Sequence, residues 1–215
     1  MNNKQFQKTR NLTLMAAIIA IMLVMTMIPF LGYIPLGFMN ATIIHIPVII
    51  GAIILGPKSG AMLGLIFGLS SLWRNSTMPN PTSFVFSPLV GIPGIEHRGI
   101  ISCLGSLVLC LLPRILIGVV AYYVYKAVMK MFKNKQNLAL MCAGIAGSLT
   151  NTLLVMNFIY LFFGSQYAQA SNREVGTLYN AILVIIGTQG VPEAIVAGIL
   201  TALICRVLLK IMDSE

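Results

Sequence analysis

Arg114 and Glu193 are the residues best placed to do chemistry. Each follows a proline inside a long apolar stretch, in Leu111-Leu112-Pro113-Arg114-Ile115-Leu116-Ile117 and in Gly190-Val191-Pro192-Glu193-Ala194-Ile195. A charge in hydrocarbon costs at least about 2.5–3.5 kcal/mol, so such a side chain faces a bundle interior or a watery cavity. The neighbouring proline breaks the helix and frees backbone groups at the same depth. A guanidinium held this way can grip an anion by charge-assisted bonds, and a carboxylate can accept hydroxyl or amide hydrogens. The same two residues can instead form a buried structural ion pair, a kind often kept for reasons other than stability.

Other polar or aromatic groups sit in apolar surroundings. They are Asn40, His45 between Ile44 and Ile46, Trp73-Arg74, and Asn151 between Thr150 and Thr152. Each has a plain alternative. His45 can be a packing histidine, Trp73 an interfacial belt residue, and Asn151 a bond between helices. Cys103, Cys110, Cys142 and Cys205 lack CxxC or Cys/His spacing and read as buried thiols, with no metal site. Walker-type loops, HExxH, a nucleophile elbow and paired membrane acids are all missing from the sequence, which argues against an enzyme and against a bound cofactor.

The elements that position these residues are membrane spans. The chain is 58% hydrophobic and only 9% charged, with a mean hydropathy of +0.91, whereas globular domains carry roughly 25% charge. Residues 1–215 read as one multi-pass transmembrane domain in the cell membrane, surrounded by lipid. The first apolar run, about Leu12–Leu31, is too long for a signal-peptide core and reads as a retained span.

The net charge of +9 does not point to nucleic acid. Lys4, Lys8, Arg10, Lys58, Lys126, Lys130, Lys133, Lys135, Arg206 and Lys210 fall at alternate ends of the apolar segments. The other ends hold Arg74, Arg98 and Arg173, with Glu96 and Glu174. This asymmetry follows the positive-inside rule, puts both termini in the cytoplasm and requires an even number of crossings.

An all-α bundle of six spans satisfies that requirement: about Leu12–Leu31, Asn40–Gly56, Ser59–Trp73, Ile100–Ala127 broken near Pro113, Leu138–Phe163, and Leu178–Leu209 broken near Gly187–Pro192. The second and third are short against the roughly 20 residues that a free-standing span needs. Long loops at Gly32–Met39, Arg74–Gly99 and Gly164–Thr177 share one side, so the expected pocket opens outward. Counted at about 1.5 Å per residue, His45, Trp73-Arg74, Arg114, Asn151 and Glu193 all reach roughly 18–20 Å above the inner boundary. Polar groups from several spans at one level suit a pocket for a small polar ligand. Gly60, Gly64 and Gly68 give the third span a face that another helix can approach closely, and Ala16/Ala20 repeat that spacing on the first.

These residues, in this order, resemble a known family. The strings are Ala16/Ala20, Ile34-Pro35-Leu36-Gly37, His45-Ile46-Pro47-Val48-Ile49, Leu55-Gly56-Pro57-Lys58-Ser59-Gly60-Ala61 and Phe67-Gly68-Leu69-Ser70-Ser71. They continue with Thr82-Ser83-Phe84-Val85-Phe86-Ser87-Pro88, Pro113-Arg114-Ile115-Leu116-Ile117-Gly118 and Thr150-Asn151-Thr152. Over nearly its whole length the chain resembles the substrate-binding subunit of an energy-coupling factor vitamin transporter, of the pantothenate-type branch.

The resemblance implies a six-helix subunit that captures a vitamin from outside. It implies docking through Ala16/Ala20 on a transmembrane coupling subunit, with two cytoplasmic ATPases using ATP, and release of cargo by toppling in the membrane. Pantothenate, with a carboxylate, hydroxyls and an amide, suits Arg114 or Arg74 as anion anchor and Asn151, Asn40 and Glu193 as partners for its hydroxyl and amide hydrogens. Hydroxymethylpyrimidine or pyridoxine would favour stacking on Trp73 or a tyrosine. A self-sufficient proton-coupled carrier with Glu193 as the titrating group, and an intramembrane enzyme using Glu193 and His45, are the readings from other classes. The segment Gly91–Leu112, with its Gly/Pro-rich turn and Glu96-His97-Arg98, departs from simpler members and leaves the start of the fourth helix open.

Overall fold

The computed structural model describes residues 3–28, 31–36, 39–92, 99–133, 135–171 and 175–213, with the backbone alone at 3, 4, 33–36, 39–41, 175 and 213. Glu96, His97, Arg98, Arg173 and Glu174 therefore lie outside the described residues, as does the side chain of Asn40. The regular structure of the described residues is helical apart from one hairpin, and the stretch at 78–92 is largely irregular. In order it forms α1 (Asn3–Met27), β1 (Tyr33–Leu36), β2 (Met39–Thr42), α2 (His45–Leu55), α3 (Pro57–Thr77), α4 (Ile100–Met131), α5 (Gln136–Ala170), α6 (Leu178–Ile185) and α7 (Val191–Asp213). A π-helical turn, Ile186–Gly190, joins α6 to α7 without a break.

Helices α1, α4 and α5 and the joined rod Leu178–Met212 are long and apolar enough to cross a membrane. The 11 residues of α2 climb only about 16 Å, and α3, with 21 residues, carries more polar groups. Among the described residues the sixfold pattern of apolar segments thus reappears as six helical rods, four of them long enough to span, with several boundaries moved.

The expected second span shortens because Met39–Thr42 pairs with Tyr33–Leu36 as an antiparallel hairpin, Tyr33 opposite Thr42. Pro47 can then sit in the first turn of α2, where its missing N–H costs no hydrogen bond. The first helix starts well before Leu12, its polar N-terminal turns extending the apolar part. The fourth helix begins at Ile100 and passes through Pro113 unbroken. Near Gly187–Pro192 the expected break is the π turn. The expected end of the fifth span at Phe163 coincides with a kink there, where φ is −135°.

Close packing fixes the centre of the bundle. A Cβ on Gly64 would stand 2.1 Å from the Arg114 carbonyl oxygen, and one on Gly118 would stand 2.7 Å from the Gly60 main chain. Helix α3 therefore lies backbone to backbone on α4, as its glycine spacing predicts. Gly144 meets Ala197 and Gly198 in the same way, seating α5 on α7. Between α2 and α3 the chain reverses at Gly56, whose φ of +92° suits glycine, with Pro57 opening the next helix.

Two apolar clusters fill the bundle. One gathers Met22, Ile44, Val48, Ile49, Leu63, Phe67, Ile117 and Leu140. The other gathers Phe84, Val85, Leu109, Val155, Ile159, Phe163, Tyr167 and Ile182.

Candidate ligand-binding site

Arg114 is 4% exposed and is held from three sides. Pro113 has no N–H, so the carbonyl of Leu109, four residues back, loses its helical partner. Arg114 Nη1 donates to that carbonyl at 2.7 Å. The guanidinium then lies over the rings of Phe86, at 5.1 Å, and Phe67, at 5.7 Å, an arrangement that favours a cation. Its Nε is buried with no hydrogen-bond partner. The Pro-Arg pair is one device: the proline frees an acceptor and the arginine takes it, which fixes the side chain.

That guanidinium lines a cavity of about 60 Å³ with Thr42, Phe86, Asn151, Thr152, Val155, Met156, Ile185, Gln189, Gly190 and Glu193. The lining comes from the end of β2, from α4 and α5, from the end of α6, and from the π turn running into α7. The segment after α3 supplies Phe86. It is tied down by Ser83 Oγ donating to Asn75 Oδ1 at 2.8 Å, by Ser106 Oγ donating to the Phe84 carbonyl at 3.0 Å, and by Phe84 edge-on to Phe163 at 6.0 Å.

The long segment between α3 and α4 is therefore partly a wall of the cavity. The π turn widens the helix where Gly190 meets Thr152, to within 2.7 Å of where a Cβ would stand, and presents Gln189 and Glu193 one turn apart. Such turns recur at functional sites.

The polar chemistry of the lining is unfinished. Asn151 Oδ1 and Thr42 Oγ1, like Arg114 Nε, are buried without a partner. Each such group costs on the order of 1–3 kcal/mol unless something pairs with it. Glu193, half-buried, accepts from the Thr42 N–H at 3.2 Å through one oxygen. Among the described residues no ion pair joins Arg114 to Glu193; both face the one cavity. A cation, a carboxylate, an amide and hydroxyls around an apolar wall suit an amphipathic solute with an anionic end.

Arg74, Trp73 and His45 are not among the described lining residues. Arg74 Nη1 donates to the Thr26 carbonyl at 2.7 Å and ties α3 to α1. Trp73 is 47% exposed and lines a lateral apolar groove with Leu23, Thr26, Met27, Ile66, Leu69 and Ser70. His45 opens α2 and is fully buried beside the Thr42 main chain, with both ring nitrogens unpartnered and outside the cavity lining. Asn40 falls on β2. Ala16 and Ala20 sit on the exposed side of α1.

Sequence reasoning missed Thr42, Phe86, Thr152, Gln189 and the apolar wall. Phe86 and Thr152 belong to strings already singled out; Gln189 gave no signal beyond lying among glycines before Pro192.

Comparison with known proteins places the chain in a family. The profile described as "ECF transporter, substrate-specific component" matches residues 10–205. The chain belongs to this family. It is 38% identical to the "Pantothenic acid transporter PanT" of Lactococcus lactis subsp. cremoris (strain MG1363) over 177 residues, covering 81% of this chain and 80% of that protein. It is 29% identical to the "Pantothenate transporter PanT" of Leuconostoc mesenteroides subsp. mesenteroides over 216 residues, covering 96% and 95%. As a substrate-specific component the chain is part of a transporter and not an enzyme, and it is a multi-pass membrane protein.

Proposed function

We propose that this substrate-specific component captures pantothenate at the extracellular side and hands it to an energy-coupling machinery for import. The single observation that carries this reading is Arg114. It is a buried guanidinium, immobilised by Leu109 and two aromatic rings, with an unpartnered nitrogen in a cavity that also holds a carboxylate and an amide. A carboxylate on a small hydroxylated amide is the solute such a lining fits, and the names of the two relatives support that choice. In this reading Arg114 takes the carboxylate, while Asn151, Glu193 and Gln189 receive the hydroxyl and amide hydrogens.

Pockets that enclose small ligands span about 300–1,000 Å³, and about 60 Å³ accommodates little more than water. Thr42 and Phe86 are the lining residues outside the helices. Vitamin entry moves these two walls apart from the helical ones.

The proposed topology has six crossings, both termini in the cytoplasm and the cavity mouth outward. The placement of basic residues at the α4–α5 turn and at the end of α7 supports it. The proposed partners are a transmembrane coupling subunit, docking on the Ala16/Ala20 face of α1, and two cytoplasmic ATPases. The chain carries no cofactor, and ATP is consumed by those ATPases while the subunit topples to deliver its cargo. Ala16 and Ala20 face away from the bundle, which supports a docking role.

Reconstitution tests the scheme. Vesicles holding the chain alone take up no labelled pantothenate, and vesicles holding the chain with its coupling subunit and ATPases take it up when ATP is supplied. Uptake by the chain alone, driven by a proton gradient, would overturn the coupled mechanism.

A further inference from the structure

The end of the bundle opposite the cavity carries a second concavity. Its walls are Lys135, Gln136, Asn137 and Leu138, at the turn into α5, and Arg206 on α7. It lies about 20 Å from the ligand cavity, since 13 residues of helix separate Arg206 from Glu193 and 13 separate Leu138 from Asn151. Its volume is about 490 Å³, enough for more than an inorganic ion.

The charge in it is unbalanced. Lys135, just before α5, and Arg206, on α7, are exposed, and neither side chain has an ion-pair or hydrogen-bond partner among the described residues. Lys135 touches the Phe132 ring at 5.9 Å, which steadies the chain without neutralising it. Helix α5 begins here, with no acidic residue in its first turn and no side-chain cap. Its leading N–H groups and its positive dipole end thus open into the same space as the two cations. Lys130, Lys133 and Lys210 add exposed positive charge nearby. Asp213, whose side chain is not described, is the carboxylate of α7 at this end, two turns from Arg206.

Apolar surface borders the polar concavity. Leu138 forms one wall at 39% exposure, and Met141, one turn along α5, is exposed as well. On α7 Leu203 and Val207 flank Arg206 and are also exposed. A cationic hollow at a membrane boundary, edged by outward-facing aliphatic side chains, matches a molecule with a phosphate anion above hydrocarbon tails. A soluble phosphate would use only the upper half of it.

We propose that this concavity is a binding site for the headgroup of an anionic phospholipid, its phosphate held between Lys135 and Arg206 and its acyl chains lying along Leu138, Met141, Leu203 and Val207. Basic pockets between membrane helices hold anionic lipids by this combination. The lipid ties the α4–α5 turn to α7 at headgroup level. The site is independent of which vitamin the cavity takes.

Native mass spectrometry of the full chain, released from detergent with either phosphatidylglycerol or phosphatidylcholine added, tests the proposal. The wild type retains one phosphatidylglycerol with at least tenfold preference over phosphatidylcholine. Lys135→Ala combined with Arg206→Ala abolishes that preference, while pantothenate affinity stays unchanged. Both side chains are exposed, so the fold tolerates their loss. Lys126→Ala combined with Lys130→Ala, outside the concavity, keeps the preference.

Equal retention of the two lipids overturns the proposal, as does a preference that survives the Lys135/Arg206 change or falls equally in the Lys126/Lys130 control. Displacement of phosphatidylglycerol by millimolar inorganic phosphate would overturn the lipid assignment in favour of a free-anion site.

Discussion

At the scale of single residues the account rests on Pro113 and Arg114 acting together. A proline in a helix interior costs about 3 kcal/mol, yet here the carbonyl it frees is the one that Arg114 grips at 2.7 Å. Replacing Pro113 by Ala restores an N–H that competes for the Leu109 carbonyl. The expected outcome is a protein as stable as the wild type or more so, read by thermal unfolding in detergent, with pantothenate affinity several-fold weaker by calorimetry. A variant that loses stability and keeps its affinity would contradict the coupling. Arg114→Lys is expected to bind at least about tenfold more weakly, because a lysine ammonium offers no planar fork and stacks poorly between Phe67 and Phe86. The sequence pointed to Arg114 and Glu193 through the cost of charge in an apolar run, an argument that needs no neighbours. Trp73 and Arg74, expected at the same level, are not among the described lining residues, because spacing along a helix does not give the direction of a side chain around it.

Among the elements, the α3–α4 contact determines where Arg114 stands. Gly64 backs directly onto the Arg114 carbonyl, so Gly64→Ala forces a Cβ into main-chain atoms that cannot rotate away. It is expected to destabilise by on the order of 1–3 kcal/mol, seen as a lowered midpoint of thermal unfolding, and to weaken binding as α4 shifts. Gly56→Ala, by contrast, meets open space but carries φ of +92°. The glycine spacing on α3 was legible from sequence because the period of a helix is fixed. The hairpin of β1 and β2 was not. Four-residue strands around prolines and small residues give no sustained alternation, and the preceding and following apolar runs invite a longer helix. The π turn was equally hidden: Gly187 and Pro192 mark a disturbance, and whether it becomes a break or a wider turn depends on Thr152 packing against Gly190.

For the whole molecule, the proposed scheme assigns capture to the cavity and docking to α1, which supplies none of the described lining residues. Most of α1 is exposed, with Ala16 and Ala20 on its outer side. Ala16→Leu combined with Ala20→Leu is therefore expected to leave pantothenate affinity unchanged and to abolish ATP-driven uptake in vesicles carrying the full complex; unimpaired uptake would remove α1 as the docking face. The sixfold helical pattern was readable from composition and spacing. The lining was not, since it is assembled from a strand end, a loop aromatic and a π turn that only the folded chain brings together. The measurement that tests the central claim most directly is calorimetric titration of the purified chain and its Arg114→Ala variant with pantothenate and with the corresponding alcohol, which lacks the carboxylate. The account predicts tight one-to-one binding of pantothenate by the wild type, weaker binding of the alcohol, and a loss of about 10–100-fold for pantothenate in the variant with little further loss for the alcohol. Equal affinity of wild type and variant for pantothenate, with both proteins folded, would contradict it.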